Sequence, residues 1–294
     1  MYRTCVVIPS PNKGWIIDRI AHEVGKRIEG EVFYSYSQAA LPPSESYLIM
    51  HYALTPAVFE LNPGVEEKSV VFFTHESLPI SRVKPFLKKV RQVIAENKTS
   101  VDLLVKKGVP QNKVSFVPEG SDPEMFKPHK RNSGPILISG CYYERKSPQL
   151  MLSIIQNMPQ RRFFILGTKW EQWNKFKKLA SLPNVELVQN VDYCDYPRRY
   201  EKCDVYLSTS ALEGGGPNAL IESMMANLVP VVSDTGNARD YIYHGRNGFI
   251  FPIGSKPRNV EKMIEDAYKL DTDVSKSVQG FTWDVMAQHF KKYL

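Results

Sequence analysis

No run of about 20 apolar residues occurs anywhere in this chain of 294 residues, so nothing in it has the length of a membrane-crossing helix. The opening segment, Met1 to Pro9, is too short and too lightly charged for a signal peptide, and a soluble cytoplasmic protein is expected. Cysteine is scarce. Cys5, Cys141, Cys194 and Cys203 lack both the close pairing of zinc sites and the density of a secreted disulfide scaffold, so they read as reduced thiols. There is no paired carboxylate motif and no His/Cys cluster at ligand spacing, so neither a metal nor another cofactor is expected. Nor is there a helix-turn-helix or RNA-binding signature. The net charge of +7 therefore argues for an anionic partner without making nucleic acid the expected one.

What the chain does have is alternation. Apolar runs at Tyr2–Ile8, Tyr47–His51, Ser69–Phe73, Val90–Ala95 and Val114–Val117 read as strands, separated by helix-like stretches such as Gly14–Ile28 and Lys98–Lys107. Between Pro118 and Pro135 six prolines and glycines break a charged segment, which reads as a linker. The alternation then restarts, with strands at Ile136–Ser139, Arg162–Leu166, Val185–Val188, Val205–Ser208, Val229–Ser233 and Phe249–Phe251. Helices are expected at Pro148–Met158, Glu171–Ala180, Pro217–Ala226 and Val260–Leu270. The reading is two α/β domains with parallel sheets, 1–128 and 129–281, the closing amphipathic stretch ending at Leu294.

The chemistry concentrates between Leu212 and Asn227. Gly214, Gly215 and Gly216 stand between a strand and a helix, where backbone N–H groups can approach a ligand closely. Pro217 suits the first helical position, so the loop aims the positive end of a helix dipole at the crevice beyond the strand ends. A diphosphate is the natural occupant. Ala219, Glu222, Ser223 and Ala226 share one helical face, which leaves Glu222 among small residues with room for a ribose.

Several segments in order carry a more specific signal: Gly108-Val-Pro-Gln-Asn-Lys-Val-Ser-Phe-Val-Pro-Glu-Gly, Glu201-Lys-Cys-Asp-Val-Tyr-Leu-Ser-Thr-Ser, the glutamate-glycine loop, Val229-Pro-Val-Val-Ser-Asp-Thr-Gly, Gly245-Arg-Asn-Gly-Phe-Ile-Phe-Pro and Gly280-Phe-Thr-Trp-Asp. Together they resemble the retaining glycosyltransferases of family four, which have the GT-B fold: α/β, with two Rossmann-like domains facing a central cleft. The resemblance implies an acceptor-side first domain to which the closing helix, 282–294, returns, and a second domain that binds a nucleotide-sugar donor. It implies that Glu222 holds the ribose hydroxyls, that Glu213 and the Gly214–Gly216 amides meet sugar and diphosphate, and that Lys146 neutralises the phosphates. The start of the following helix, Pro217, Asn218 and Ala219, belongs to the same donor-binding set. His75 matches a histidine that contacts the donor sugar from the first domain, and Gly14 matches a glycine of the first phosphate-facing loop.

Two departures stand out. The family's two glutamates lie one residue closer together than Glu213 and Glu222, so either the loop bulges or Glu213 no longer points at the sugar. Cys141 replaces the family's phosphate-binding arginine, which leaves half the clamp missing unless Arg145 substitutes. The expected activity is transfer of a sugar from a nucleotide sugar to a glycan, a lipid-linked acceptor or another hydroxyl, with retention and without a metal. A sugar-nucleotide epimerase of the same fold and a catalytically weakened nucleotide-sugar-binding subunit are the alternatives.

One further feature is charge. Nine basic residues between Arg82 and Lys113 face only Glu96 and Asp102, an excess as large as the whole chain's. Val83, Phe86, Leu87 and Val90 recur at helical spacing, so Ser81–Arg91 can form a helix with one apolar stripe and a cationic flank. Either the stripe packs on the first sheet, or residues 81–113 bring the protein to an anionic membrane surface carrying a lipid-linked acceptor.

Overall fold

The computed structural model describes residues 1–213 and 218–294, the side chain of Asn12 excepted. The chain divides into two units, Met1–Gly120 with Phe281–Leu294, and Ser121–Gly280. The division falls inside the proline- and glycine-rich segment, where no periodic apolar pattern draws the backbone into a core.

The first unit runs β1 (Tyr2–Val7), α1 (Ile16–Gly25), β2 (Val32–Ser35), β3 (Ser44–Ile49), α2 (Thr55–Leu61), β4 (Ser69–Phe73), α3 (Ile80–Leu87), β5 (Gln92–Ala95), α4 (Lys98–Lys106) and β6 (Val114–Phe116). Its strands are all parallel, in the order β2-β1-β3-β4-β5-β6. A parallel sheet is covered on both faces, and the strands here are apolar almost without interruption. Along β4 the side chains alternate: Val71 and Phe73 join Val7, Ile49, Val83 and Leu87 on one face, whereas Val70 and Phe72 join Val6, Leu48 and Ile20 on the other. Each such fully buried side chain contributes about 1.5–3 kcal/mol.

The structure places the apolar stripe of the basic stretch. The helix expected at Ser81–Arg91 is Ile80–Leu87, and its stripe is core: Val83, Leu87 and Val90 are fully buried and Phe86 packs against them. Among these cations, Lys113 is tied to the fold by Nζ bonds to the carbonyls of Lys88 and Val90, and Arg91 by bonds to those of Tyr293 and Leu294.

The second unit runs β7 (Ile136–Ser139), α5 (Pro148–Asn157), β8 (Phe163–Gly167), α6 (Phe176–Ala180), β9 (Val185–Gln189), α7 (Tyr196–Tyr200), β10 (Val205–Ser208), α8 (Asn218–Met225), β11 (Val229–Ser233), α9 (Ala238–Tyr241), β12 (Phe249–Phe251) and α10 (Pro257–Lys269). Its parallel order is β12-β11-β10-β7-β8-β9. The chain therefore winds outward from β7 to β9, returns to pair β10 with β7, and winds outward the other way. That reversal is the topological switch point of a doubly wound sheet, and ligands of such sheets bind beyond the carboxyl ends of the strands there. The helix expected at Glu171–Ala180 begins only at Phe176, because Trp170 and Trp173 are drawn into the core ahead of it and the Trp170 indole donates to the Gly140 carbonyl at 3.2 Å.

The last helix, α11 (Trp283–Lys291), belongs to the first unit. The Thr282 hydroxyl caps it by accepting from the Val285 amide at 3.3 Å, and Trp283, Met286, Ala287 and Phe290 enter the core beside Val6 and Phe72. Arg27, just beyond the end of α1, and Asp284 in α11 add an ion pair at 2.8 Å. Among the described residues no helix is long and apolar enough to cross a membrane.

Candidate functional site

Beyond β7 the backbone turns sharply. Gly140 has a φ of 138°, and a Cβ built there would stand 2.8 Å from Lys146 Nζ, so the missing side chain is what lets the lysine lie against the strand end. Lys146 closes the short turn Glu144–Lys146, and Ser147, in the left-handed region at φ 49°, leads directly into α5. A non-glycine residue held there costs of order 1 kcal/mol or more, and such residues cluster at functional sites. The loop is stitched to the one after β10. Thr209 Oγ1 donates to the Lys146 carbonyl at 2.8 Å, and the Ala211 amide donates to the Arg145 carbonyl at 2.7 Å.

Into this junction comes Glu213. Its Oε2 accepts from Arg145 Nη1 at 2.6 Å, while its Oε1 accepts from Ser210 Oγ at 2.6 Å and lies 3.5 Å from Lys146 Nζ. The Glu213 side chain is only 6% exposed, against 18% for Lys146 and 40% for Arg145. Burial alone would raise its carboxyl, but Lys146, Arg145 and the hydrogen bonds from Ser210 and Arg145 outweigh that and hold it below the ordinary carboxylate value. The result is one ionised carboxylate between two cations at the switch point, a net positive spot beside the amino terminus of α5. The Glu213 carboxylate thus holds Arg145 and Lys146 together at this junction. Cys141, where the resemblance calls for an arginine, places its Sγ 2.6 Å from Thr168 Oγ1, and the guanidinium beside Lys146 is that of Arg145.

Glu222 lies on α8, seven of whose eight residues are buried. Its Oε1 accepts from the Tyr193 phenol at 2.7 Å and its Oε2 from the Tyr200 phenol at 3.0 Å. The Tyr200 oxygen is also 3.1 Å from Ser139 Oγ at the end of β7. Having one proton, the phenol gives it to the carboxylate and accepts from the serine. Burial first, then the nearby Glu222 charge, raise Tyr200 well above the ordinary phenol value, so it remains a donor. Neither tyrosine is signalled by a motif, although Tyr193, Tyr196 and Tyr200 at helical spacing ahead of β10 would have marked the face.

The second unit's features also match known sequences. The profile of the family described as Glycosyl transferases group 1 matches residues 121–278, more than half of the chain. The chain belongs to that family. A curated relative, Spore coat protein SA of Bacillus subtilis (strain 168), is 28% identical over 144 residues, which covers 45% of this chain and 38% of that protein. Among solved structures, Anabaena Alr3699/HepE in complex with UDP-glucose superposes with a TM-score of 0.77 at 15% identity over 99% of both chains. Sucrose-phosphate synthase from Thermosynechococcus elongatus does so with a TM-score of 0.80 at 12% identity, over 99% of this chain and 98% of that one. At such identities the likeness gives the fold, α/β of GT-B type.

The remaining candidate residues of this group 1 family member fall as follows. Gly214, Gly215, Gly216 and Pro217 lie outside the described residues. Ala219 is buried on α8, and Asn218 Nδ2, at its start, is buried with no partner among the described residues. His75 and Gly14 are in the first unit, His75 just past β4 and Gly14 just ahead of α1. His75 Nδ1 is 2.9 Å from Thr74 Oγ1, and the Gly14 amide donates to Asp18 Oδ2 at 2.6 Å. His51, at the end of β3, meets His75 edge-on with ring centroids 6.2 Å apart. A concavity lined by Lys130, Arg162, Glu186, Lys202 and Asp204 opens at the opposite, amino-terminal edge of the second sheet, away from the switch point.

Proposed function

We propose that this chain transfers a sugar from a nucleoside diphosphate sugar to a hydroxyl of a glycan or lipid-linked acceptor, with retention at the anomeric carbon. The observation that carries the reading is the convergence of Arg145, Lys146 and Glu213 at the switch point of a doubly wound sheet. As the bond between anomeric carbon and diphosphate oxygen breaks, the leaving diphosphate gains negative charge. Two cations and a helix amino terminus already oriented toward it stabilise that charge without reorganising. Glu222, on the adjacent helix, takes the ribose hydroxyls as a carboxylate acceptor. The donor bound by the HepE neighbour, UDP-glucose, supports a nucleotide sugar here, and retention rests on the family-four resemblance of the loop motifs. Side-chain cations, rather than a metal ion, carry the charge neutralisation in this reading. The exposed basic residues of the first unit are proposed to bring the protein to an anionic surface by charge alone.

The test is a thermal-shift panel of UDP-, GDP-, ADP- and dTDP-sugars, followed by assay of nucleoside diphosphate release with and without glycan acceptors. A donor that raises Tm and is consumed only with acceptor is expected, since a ligand of the folded state alone stabilises it. Lys146→Ala should lower kcat and Glu222→Gln should mainly raise KM. Unchanged kinetics in both variants would reject the site.

A further inference from the structure

Glu222 is held by two phenols that are not equivalent. Tyr200 is fully buried, its ring 5.1 Å from Phe126 and 6.3 Å from Tyr196, and its oxygen has a second partner in Ser139. Tyr193 is only half-buried. It begins a three-residue turn, Tyr193–Asp195, between β9 and α7, with ring contacts to Phe126 at 5.9 Å and Tyr196 at 5.3 Å. One phenol is thus built into the core, while the other reaches the carboxylate from the loop at the carboxyl edge of the sheet. Glu222 itself is 3% exposed, and the Tyr193 phenol is a partner of its Oε1 at 2.7 Å.

We propose that Tyr193 is a specificity-determining residue of the donor site, whose phenol holds Glu222 Oε1 and gives it up in exchange for the vicinal hydroxyls of a ribose. The proposal rests on the nucleotide-sugar reading above and says how that ligand is read. Hydrogen bonds to an ionised carboxylate are stronger than neutral ones, so the ribose gains only the difference between its own bond and the phenol's. A ligand whose sugar lacks the diol leaves the Tyr193–Glu222 bond in place and gains nothing. A ribonucleotide is accepted only because two correctly spaced hydroxyls outbid one phenol, which makes discrimination depend on the bond being replaced. Tyr200 keeps Oε2 and the carboxylate orientation fixed while this happens.

The experiment is isothermal titration of the wild type and Tyr193→Phe with the ribonucleoside diphosphate that binds best among UDP, GDP and ADP, and with its 2′,3′-dideoxy counterpart. Tyr193→Phe keeps the ring packing and removes the competing oxygen. It should bind the ribonucleotide about three- to tenfold more tightly, while affinity for the dideoxy compound stays the same. The ratio between the two ligands is the decisive readout, because a loop that merely loses its shape weakens both alike. Ribonucleotide binding by Tyr193→Phe that is equal to or weaker than wild type overturns the exchange. A wild-type protein that binds none of the three diphosphates removes the nucleotide-sugar reading itself, and this proposal with it.

Discussion

Arg145 Nη1 and Glu213 Oε2 stand 2.6 Å apart, an ion pair that ties the loop after β7 to the loop after β10 across 68 positions of sequence. Because Lys146 shares the same carboxylate, Glu213 acts as a resident counter-ion for the cations that the proposed diphosphate needs. Glu213→Gln should therefore tighten inhibition by free nucleoside diphosphate while lowering kcat, since the cations gain charge but lose their fixed position. Lys146→Ala should lower kcat on the order of 100-fold, the usual effect of removing one preorganised charge-stabilising group. Product-inhibition constants and steady-state kinetics on the three proteins check this. A weaker product affinity in Glu213→Gln would mean that the carboxylate supports the ligand directly.

Gly140 offers a sterically quieter way to test the same lysine. Its φ of 138° is costly for any other residue, and an alanine Cβ would press on Lys146 Nζ at 2.8 Å. The amine end is flexible and can step aside, so Gly140→Ala should cost roughly 1–3 kcal/mol of stability from backbone strain. The larger consequence should be kinetic, with a fall in kcat approaching that of Lys146→Ala. Denaturant unfolding separates the two effects, and full activity in a destabilised Gly140→Ala would show that the amine need not lie against the strand end.

Much of this was legible in the residues because the fold is written in long apolar runs. Ser69–Phe73, Ile136–Ser139, Val205–Ser208, Val229–Ser233 and Phe249–Phe251 are strands with the boundaries their patterns give, each a β-rich run between turn residues. The edge strand β2, Val32–Ser35, escaped because it is four residues long and only partly buried, so no apolar run announces it. Likewise α7 is a single short turn whose tyrosines look like surface residues until Tyr200 is found wholly buried. Local sequence singled out Lys146 and Glu213, and the structure brings those two together beyond β7 and β10. Nothing in the local sequence announces a contact between distant segments, as when Tyr193 from the turn before α7 and Ser139 from the end of β7 join the Glu222 network.

If Arg145, Lys146 and the helix termini carry the charge of the leaving diphosphate, turnover should persist after dialysis against EDTA. Added Mg²⁺ or Mn²⁺ should change the rate by less than about twofold, because fixed dipoles and cations already do what a bound ion would. Loss of activity on chelation with recovery on adding either ion would show that a metal bridges the phosphates.

The basic surface of the first unit makes a prediction separable from catalysis. With Val83, Leu87 and Val90 buried in the core, binding to a bilayer must come from exposed charges such as Arg82, Lys88 and Lys89, each worth about 1 kcal/mol near an anionic surface. Sedimentation with vesicles containing phosphatidylserine should show binding that salt abolishes, that neutral vesicles lack, and that Lys84→Glu, Lys88→Glu and Lys89→Glu together remove. Binding indifferent to lipid charge would refer the cations back to ordinary solvation.

His51 should make the protein acid-sensitive in a defined window. Burial first, and the neighbouring His75 second, lower its value to about 4, and its Nδ1 accepts from the Ala53 amide at 3.3 Å, which requires the neutral ring. In the unfolded chain a histidine titrates near its ordinary value of about 6.5. Between those values the unfolded state binds a proton that the folded state refuses, so stability rises with pH across the window. Stability is therefore full above about pH 6.5 and falls as the pH drops toward 4, by at most roughly 3–3.5 kcal/mol. Below about 4 both states are protonated and this contribution stays flat. Urea unfolding of the wild type and His51→Gln at pH 7.5, 6.0 and 5.0 isolates it. The variant lacks a titrating ring at this position, so its stability should fall less over that range, and parallel declines in the two proteins would assign the acid sensitivity to other groups.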